Sequence, residues 1–204
     1  MPNQEIEVKY YLHDIKRAEL RLNSVNAKLL QPRTHEYNLR FDTPKHQLAE
    51  QHKVLRLRRD QDIRLTYKDP AISTYPVSVR HEIEFSVSDF DQARQLLEAL
   101  GYTQITIYEK YRTTYLLGVS HITLDEMPFG NFLEIESVGA EEIKKITQEI
   151  GLNWEARCTD SYFVLFQRLK AKKHLQFEHL TFELFKGLVI HPNDFDLEAA
   201  DISI

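Results

Sequence analysis

Stretches in which polar and apolar residues alternate recur along this chain, and each predicts a β-strand with one polar face and one apolar face. The first such stretch places Glu5, Glu7 and Lys9 on one face of a strand, with apolar residues between them. The same Glu-Ile-Glu sequence recurs at residues 82–84 and 134–136, and basic alternating stretches lie between the copies. We therefore expect several strands to direct charges of both signs toward one shared surface.

Apolar residues spaced three and four positions apart predict helices between some of these strands. Asp14 is expected to cap the first helix and Ser88 the second, because short polar side chains accept hydrogen bonds from the free amides at helix starts. Residues Glu141–Ile150 predict a third helix, another is expected from Thr159 onward, and Thr181–Leu188 is expected to form a short one. The other predicted strands are Thr34–Asp42, Val54–Arg58, Ile63–Lys68, Val79–Val87, Tyr102–Leu117, His121–Asp125 and Asn131–Ser137.

This succession of strands and helices predicts an α+β fold. About eight antiparallel strands can close into a barrel, which removes exposed sheet edges and leaves room inside for side chains or one small ligand. We expect an eight-stranded antiparallel β-barrel that forms a tunnel, with helices packed outside it. No Gly/Ser linker divides the chain, so residues 1–204 are expected to be one domain. Its barrel would span about 3–138, its C-terminal helical cover about 140–190, and a loosely attached acidic tail about 193–204.

Composition and charge exclude several classes of partner. The 204 residues include 42% hydrophobic residues, enough for a core, and carry a net charge of −5, which gives no overall attraction to nucleic acid or to an anionic membrane. No apolar run approaches the roughly 20 residues of a spanning helix. Cys158 is the single cysteine, so no intrachain disulfide is expected, and the chain starts without an apolar signal region. We expect a cytoplasmic protein with no nucleic-acid or membrane partner, and a homodimer is left open.

A tunnel lined by both charge signs indicates phosphoryl chemistry. Its carboxylates suit Mg²⁺ or Mn²⁺, whereas the scattered histidines and the lone cysteine offer no zinc site. Its arginines and lysines suit a polyanion such as a phosphate chain. The alternative is that Arg56, Arg58 and Lys68 lie on a salt-bridged outer surface, but their strict alternation favours a shared inner face.

These residues resemble the CYTH superfamily, also called triphosphate tunnel metalloenzymes, which includes class IV adenylate cyclases, thiamine triphosphatases and inorganic tripolyphosphatases. Glu5-Ile-Glu7-Val-Lys9 is similar to the ExExK signature of that family. The similarity extends to about Tyr162 and follows the family's order at Tyr37 with Phe41-Asp42-Thr43, at Arg56 and Arg58, at Lys68, at Arg80, Glu82 and Glu84, at Glu109-Lys110 with Arg112, at Asp125, and at Glu134 and Glu136.

The resemblance implies a role for each of these side chains. One or two Mg²⁺ or Mn²⁺ ions would be held by Glu5, Glu7, Asp125, Glu134 and Glu136. A triphosphate would be gripped by Lys9, Arg56, Arg58, Lys68, Arg80, Lys110 and Arg112. Glu82 and Glu84 would be supporting acids that orient these cations or a water. Lys110 and Tyr37 are the catalytic candidates for assisting proton transfer.

The function expected from this resemblance is a divalent-metal-dependent phosphohydrolase acting on inorganic or organic triphosphate, with tripolyphosphate, thiamine triphosphate and ATP as candidate substrates. The first alternative is a class IV adenylate cyclase that converts ATP to cyclic AMP and pyrophosphate. The second is a non-catalytic module that binds polyphosphate or nucleotide. Such a module could dispense with metal ligands, so the five carboxylates argue against it.

Overall fold

The computed structural model describes residues 4–74 and 76–201. Their strands are β1 (Gln4–Leu12), β2 (Lys28–Asp42), β3 (Val54–Arg59), β4 (Ile63–Lys68), β5 (Ile72–Thr74), β6 (Val77–Ser86), β7 (Thr103–Leu117), β8 (Ser120–Met127), β9 (Gly130–Glu136) and β10 (Arg157–Cys158). Their helices are α1 (Ile15–Ser24), α2 (Gln47–Glu50), α3 (Phe90–Ala99), α4 (Ala140–Glu149) and α5 (Tyr162–Lys173).

Eight of these strands close into an antiparallel barrel. Their order is β1-β9-β8-β7-β2-β3-β4-β6, and β6 pairs back with β1, where Glu5 lies opposite Arg80 and Glu7 opposite Ser78. The two short strands lie outside this ring, β5 beside β6 and β10 beside β1. Within the described part of the chain, the structure therefore confirms the predicted barrel with helices outside it.

The apolar faces of the strands point outward and pack beneath the helices. Val8, Ile122 and Ile135 are completely buried in a cluster that also contains residues of α1 and α4. A second cluster joins Leu39 and Leu57 of the barrel wall to apolar residues of α3. Each buried side chain of this size contributes about 1.5–3 kcal/mol. Since the helices cover the apolar faces, the polar faces of the same strands are left to line the barrel interior.

The helix starts follow the capping chemistry that the sequence predicts, with one shift. Asp14 caps α1, accepting hydrogen bonds from the amides of Lys16 (3.0 Å) and Arg17 (3.1 Å). The cap of α3 is Asp89, which accepts from the amide of Gln92 at 2.8 Å, so the prediction of Ser88 was wrong by one residue. The carboxylate of Asp89, rather than the hydroxyl of Ser88, therefore reaches the free amides in the first turn of α3.

The largest departures from the predicted elements are at β2 and at residues Thr181–Leu188. Strand β2 begins at Lys28 rather than Thr34, because its first residues pair with the end of the long strand β7 through two register shifts. Residues Thr181–Leu188 form turns rather than the predicted short helix, with hydrogen bonds such as Leu184 amide to Thr181 carbonyl at 3.1 Å. In β2 the backbone follows a partner strand that is distant in sequence.

The described part of the C-terminal segment is docked on the barrel, which corrects the prediction of a loosely attached tail. Phe195 and Ala200 are completely buried, and the Ala200 amide donates to the Tyr11 carbonyl at 2.9 Å. The carboxylate of Asp201 accepts from the amides of His13 (2.9 Å) and Asp14 (2.8 Å). The acidic composition of this segment predicted exposure to solvent. In the structure its acids flank apolar residues that pack against the barrel, and the carboxylate of Asp201 binds two backbone amides. Residues 202–204 lie outside the described residues.

None of the helices in the described residues has the length and apolar character needed to cross a membrane.

We expect Asp201→Ala to lower the free energy of unfolding by about 1 kcal/mol, since it removes two part-buried hydrogen bonds from backbone amides. Urea denaturation would measure the difference. The control is Glu198→Ala, an exposed acid in the same segment, which should change stability by less than about 0.5 kcal/mol. Equal urea midpoints for the two variants would show that the Asp201 hydrogen bonds of the C-terminal segment do not stabilise the barrel.

Candidate active site

A cavity of about 590 Å³ occupies the barrel interior, within the range of small-molecule binding sites. Two opposed groups of charged side chains line it. We call the carboxylates on β1 and β9 the acidic wall, which consists of Glu5, Glu7, Glu134 and Glu136. We call the cations on β2, β3 and β7 the basic wall, which consists of Arg40, Arg56, Arg58, Lys110 and Arg112.

The acidic wall is formed by two paired strands whose register aligns their acids. Glu7 lies opposite Glu136, and Lys9 lies opposite Glu134. The Lys9 ammonium forms ion pairs with Glu7 and, at 3.5 Å, with Glu134. Burial and the neighbouring carboxylates, first of all Glu5, raise the pKa of Glu136 to about 7. The wall therefore carries more negative charge than Lys9 balances.

A second lysine joins the acidic wall to the opposite side of the barrel. The Lys68 ammonium donates to both carboxylate oxygens of Glu5 at 2.7 Å and forms an ion pair with Glu82 at 3.0 Å. Burial opposes the charged form of Lys68, but the carboxylates of Glu5, Glu82 and Glu7 together outweigh it, and the pKa of Lys68 is raised. Glu82 therefore lies beside Lys68, to which the family resemblance assigns phosphate binding.

Asp125 is the centre of the cation network on β7. Its carboxylate accepts two hydrogen bonds from Arg112 at 2.6 Å, one from Lys110 at 3.0 Å and one from the Tyr162 hydroxyl at 2.8 Å. The side chain is completely buried, which opposes ionisation, but Arg112 and Lys110 keep the pKa of Asp125 below its ordinary value. Asp125 thus orients three groups that border the cavity.

Glu36 is a second buried carboxylate of the basic wall. It lies 3.4 Å from Lys110, 3.6 Å from Arg58 and 3.9 Å from Arg112, and only 1% of it is exposed. Burial acts against ionisation, but Lys110 and then Arg112 and Arg58 lower the pKa of Glu36 to about 2. A permanent negative charge therefore holds three cations at fixed positions along the wall.

Glu84 organises the arginines of β3. Its carboxylate lies 3.3 Å from Arg56 and 3.4 Å from Arg58, and it accepts the Thr66 hydroxyl at 2.7 Å. Its contacts with these arginines lower the pKa of Glu84 against the opposing effect of burial. The two guanidinium groups are thereby held side by side and facing the cavity.

Residues 3–156 match the family model for the CYTH domain. The chain belongs to the CYTH domain family. A similar protein is the adenylate cyclase CyaB of Aeromonas hydrophila, which is 28% identical over 176 residues that span 80% of this chain and 89% of the relative.

Solved structures share the same fold. The PH1819 protein of Pyrococcus horikoshii aligns with a TM-score of 0.68 at 26% identity, covering 80% of this chain and 98% of that protein. HpAC1 of Hippeastrum, described as having a dominant triphosphatase activity, aligns with a TM-score of 0.61 at 20% identity, covering 80% of this chain and 95% of its own. These alignments show that this chain shares its fold with both proteins.

The structure brings most residues that the sequence singled out to one cavity of the CYTH domain. Those on its lining are Glu5, Glu7, Lys9, Arg56, Arg58, Lys68, Arg80, Glu82, Glu84, Lys110, Arg112, Glu134 and Glu136. Asp125 lies behind this lining, where it contacts Lys110 and Arg112.

Tyr37, a predicted catalytic candidate, faces out of the tunnel. Its ring packs against Phe90 of α3, with centroids 6.2 Å apart, and belongs to the apolar cluster under that helix. Side chains alternate along a strand, and the inward positions of β2 are taken by Glu36 and Arg40 on either side of Tyr37. Tyr37 therefore has no contact with the cavity, and we withdraw it from the catalytic candidates.

Some polar residues of the site were not singled out from the sequence, among them Glu36, Arg40, Tyr108 and Tyr162. Glu36 and Arg40 lie on β2, Tyr108 on β7 and Tyr162 at the start of α5. The alternation of β2 contains a usable signal, because Glu36 and Arg40 are polar positions spaced by an even number of residues. Tyr162 carries no such signal, since its place in the tunnel depends on how α5 docks.

The acidic wall has the chemistry of a site for Mg²⁺ or Mn²⁺, which prefer carboxylate oxygens. The raised pKa of Glu136 indicates negative charge that such a cation would neutralise. The described residues contain no preformed group of three or more His, Cys, Asp or Glu side chains that could hold a metal, and lysines occupy the oxygens of Glu5 and Glu7. Asp125 fits less well, because Arg112, Lys110 and Tyr162 already bind its carboxylate.

We expect Glu36→Gln to lower the free energy of unfolding by about 3 kcal/mol at neutral pH, because three buried cations lose a counter-ion. The wild-type carboxylate stabilises the fold fully above its ordinary pKa of 4.5, and this contribution is lost as pH falls toward about 2. The difference between variant and wild type should therefore narrow with acidification. Urea denaturation at about pH 7 and about pH 3 would measure it.

The matched control for this prediction is Glu126→Gln, whose ion pair with Arg33 joins side chains that are 32% and 52% exposed. Exposed pairs are weak, so this variant should lose less than about 1 kcal/mol at either pH. A Glu36→Gln deficit that stays constant between the two pH values would contradict the lowered pKa.

Proposed function

We propose that this CYTH domain is a divalent-metal-dependent phosphohydrolase acting on inorganic or organic triphosphate. The observation that carries the proposal is the opposition of the acidic wall and the basic wall across one buried cavity. Phosphoryl transfer needs cations along the phosphate chain and oxygen ligands for a metal that bridges it. Both are present within the same enclosed space.

The basic side chains would bind the triphosphate. Arg56, Arg58 and Arg112 present guanidinium groups whose N–H donors match phosphate oxygens, and Lys68 and Arg80 extend this surface across the barrel. Because neighbouring acids already hold Arg56, Arg58 and Arg112 in place, binding costs little reordering of these side chains.

The chemistry would take place between the two walls. Glu5, Glu7, Glu134 and Glu136 would hold Mg²⁺ or Mn²⁺, which supplies charge neutralisation at the phosphates and a more acidic attacking water. Lys110, held by Asp125 at 3.0 Å and by Glu36 at 3.4 Å, would donate a proton or hydrogen bond to the leaving phosphate oxygen. The enclosed cavity would limit competing water around these groups.

A second candidate function is conversion of ATP to cyclic AMP and pyrophosphate. The observation that favours it is the similarity to the adenylate cyclase CyaB of Aeromonas hydrophila over 80% of this chain. The same phosphate grip would serve, with the ribose hydroxyl of ATP in place of water as the attacking group. The two functions differ in the products they release.

A product assay decides between them. The protein would be incubated with tripolyphosphate, thiamine triphosphate or ATP under Mg²⁺ or Mn²⁺, and phosphate, pyrophosphate and cyclic AMP would be resolved. Phosphate release from any of the three compounds supports hydrolysis, whereas cyclic AMP with equimolar pyrophosphate from ATP supports the cyclase. Binding without any product would indicate a non-catalytic module.

We expect turnover to stop in excess EDTA and to return when Mg²⁺ or Mn²⁺ is restored, because the acidic wall offers the metal its oxygen ligands. Glu134→Gln should lower kcat by roughly 100-fold or more while the far-UV circular dichroism stays unchanged. The matched control is Glu142→Gln on the outer surface of α4, which should keep wild-type turnover. Full activity in EDTA, or in Glu134→Gln, would remove the metal from the mechanism.

A further inference from the structure

One carboxylate of the acidic wall has no partner among the described residues. Glu136 is the exposed member of the wall, and it borders both the cavity and a smaller surface depression. The other three acids of the wall each pair with a lysine or an arginine. The Glu136 carboxylate forms no hydrogen bond or ion pair with the described residues. It is therefore available to bind a cation that enters from solvent.

An unpaired histidine lies beside this carboxylate on the next strand. His121 of β8 is directly opposite Glu136 of β9, and both residues line the cavity and the surface depression. The Cβ atoms of directly opposed residues are about 4.5–5.5 Å apart, so both side chains can bind one ligand. The His121 imidazole is exposed and forms no hydrogen bond or ion pair with the described residues. A nitrogen donor is thus available next to the unpaired carboxylate.

A buried hydroxyl two residues further along β8 also has no partner. Thr123 is 7% exposed, lines the cavity and lies directly opposite Glu134. Its Oγ1 is buried and forms no hydrogen bond with the described residues. A buried hydroxyl without a hydrogen bond is unfavourable by about 1–3 kcal/mol, and bulk solvent does not reach this one. The unpaired oxygen indicates that a ligand completes the site.

These four side chains share one face of the β8–β9 pair. His121 and Thr123 are two positions apart on β8, and Glu136 and Glu134 are opposite them on β9. Two residues along a strand span about 6.6 Å, and paired strands are about 4.8 Å apart. Four donors at the corners of a rectangle of this size can bind a single cation between them. We call these four residues the β8–β9 corner.

The β8–β9 corner combines oxygen and nitrogen donors. Carboxylate and hydroxyl oxygens suit both Mg²⁺ and Mn²⁺, whereas imidazole nitrogen is a ligand of transition metals. Mg²⁺ also gives up its bound waters reluctantly, and it takes few protein ligands. A nitrogen ligand at this place therefore favours Mn²⁺ over Mg²⁺.

The corner is not a preformed metal site, and its side chains are able to become one. No three His, Cys, Asp or Glu side chains of the described residues already converge on a common point. Convergence here requires rotation of His121 and Glu136, and neither side chain has a partner to release. The histidines of the chain have no ligand spacing in the sequence, and only the register of β8 on β9 places His121 at the acidic wall.

We propose that His121 is a nitrogen ligand of a divalent cation that Glu134, Glu136 and the Thr123 hydroxyl also bind, and that this site selects Mn²⁺ over Mg²⁺. The inference rests on the proposed metal-dependent function and narrows the choice of metal. Because all four donors come from the protein, the site holds Mn²⁺ before a phosphate chain binds.

Titration of the full chain with Mn²⁺ alone, followed by electron paramagnetic resonance, tests the site. The signal of free Mn²⁺ gives the Kd, and competition by Mg²⁺ gives the preference between the two metals. Electron spin echo envelope modulation detects a nitrogen bound to Mn²⁺. Wild-type protein should bind Mn²⁺ at least about 10-fold more tightly than Mg²⁺ and show the nitrogen modulation.

Variants of β8 separate the nitrogen ligand from the oxygen ligand. His121→Gln should abolish the nitrogen modulation and weaken Mn²⁺ binding by roughly 10-fold, while the affinity for Mg²⁺ changes by less than about 3-fold. Thr123→Val should weaken both metals, and Thr123→Ser, which keeps the hydroxyl, should restore both affinities.

The matched control is His81→Gln. His81 is a histidine outside the cavity lining, 3.1 Å from Asp69 and with its side chain 49% exposed. This variant should keep the wild-type Kd and the nitrogen modulation. Far-UV circular dichroism would show that each variant is folded.

Each contrary outcome overturns a distinct statement. Mn²⁺ binding without nitrogen modulation in the wild type, or modulation that persists in His121→Gln, would remove His121 from the metal. Equal losses for Mn²⁺ and Mg²⁺ in His121→Gln would contradict the selectivity. No Mn²⁺ binding by a protein whose turnover still requires Mn²⁺ would overturn the protein-held site and leave the proposed function intact. Absence of both binding and turnover would instead overturn the proposed function.

Discussion

Charge pairing inside a closed barrel is the constraint on which this structure depends. A carboxylate or guanidinium removed from water costs several kcal/mol unless an opposite charge and hydrogen bonds replace its hydration. Asp125 meets this condition through Lys110 and Arg112 of β7, and Glu36 meets it through the same two cations and Arg58 of β3. Among the described residues the pairing is incomplete at two places: the acidic wall, where carboxylates outnumber lysines, and Arg40 and Arg80, which form no ion pair. A metal ion and a phosphate chain are the ligands whose charges would complete it.

The helices contribute to the site indirectly. By covering the apolar faces of the barrel, α1, α3 and α4 leave the polar faces to meet in the interior. The last helix, α5, contributes to the site directly, because Tyr162 and Phe163 of its first turn line the cavity. The C-terminal segment also reaches the barrel, where the backbone of Leu180 bonds to β7 and its side chain lines the cavity.

Local patterns predicted the strands and most of the lining, because alternation along a strand is a property of neighbouring residues. The Glu-Ile-Glu pairs and the Arg56/Arg58 pair were assigned to the tunnel on this basis, and the cavity contains them. Tyr37 was the wrong catalytic candidate on β2. The family resemblance pointed to it, but the alternation of side chains along the strand places Glu36 and Arg40 inside the barrel. The docking of Phe195 and Asp201 could not be predicted, because their partners lie near the other end of the chain.

The sequence by itself determined which side of each strand is charged and that both charge signs share the interior of one barrel. Only the tertiary structure decided which charges neutralise one another, because that depends on the register between strands and on the closure of β6 against β1. It also decided which arginines form no ion pair with the carboxylates of the described residues. Pairing between distant strands and the docking of the last helix are set by packing across the whole molecule, which no local pattern encodes.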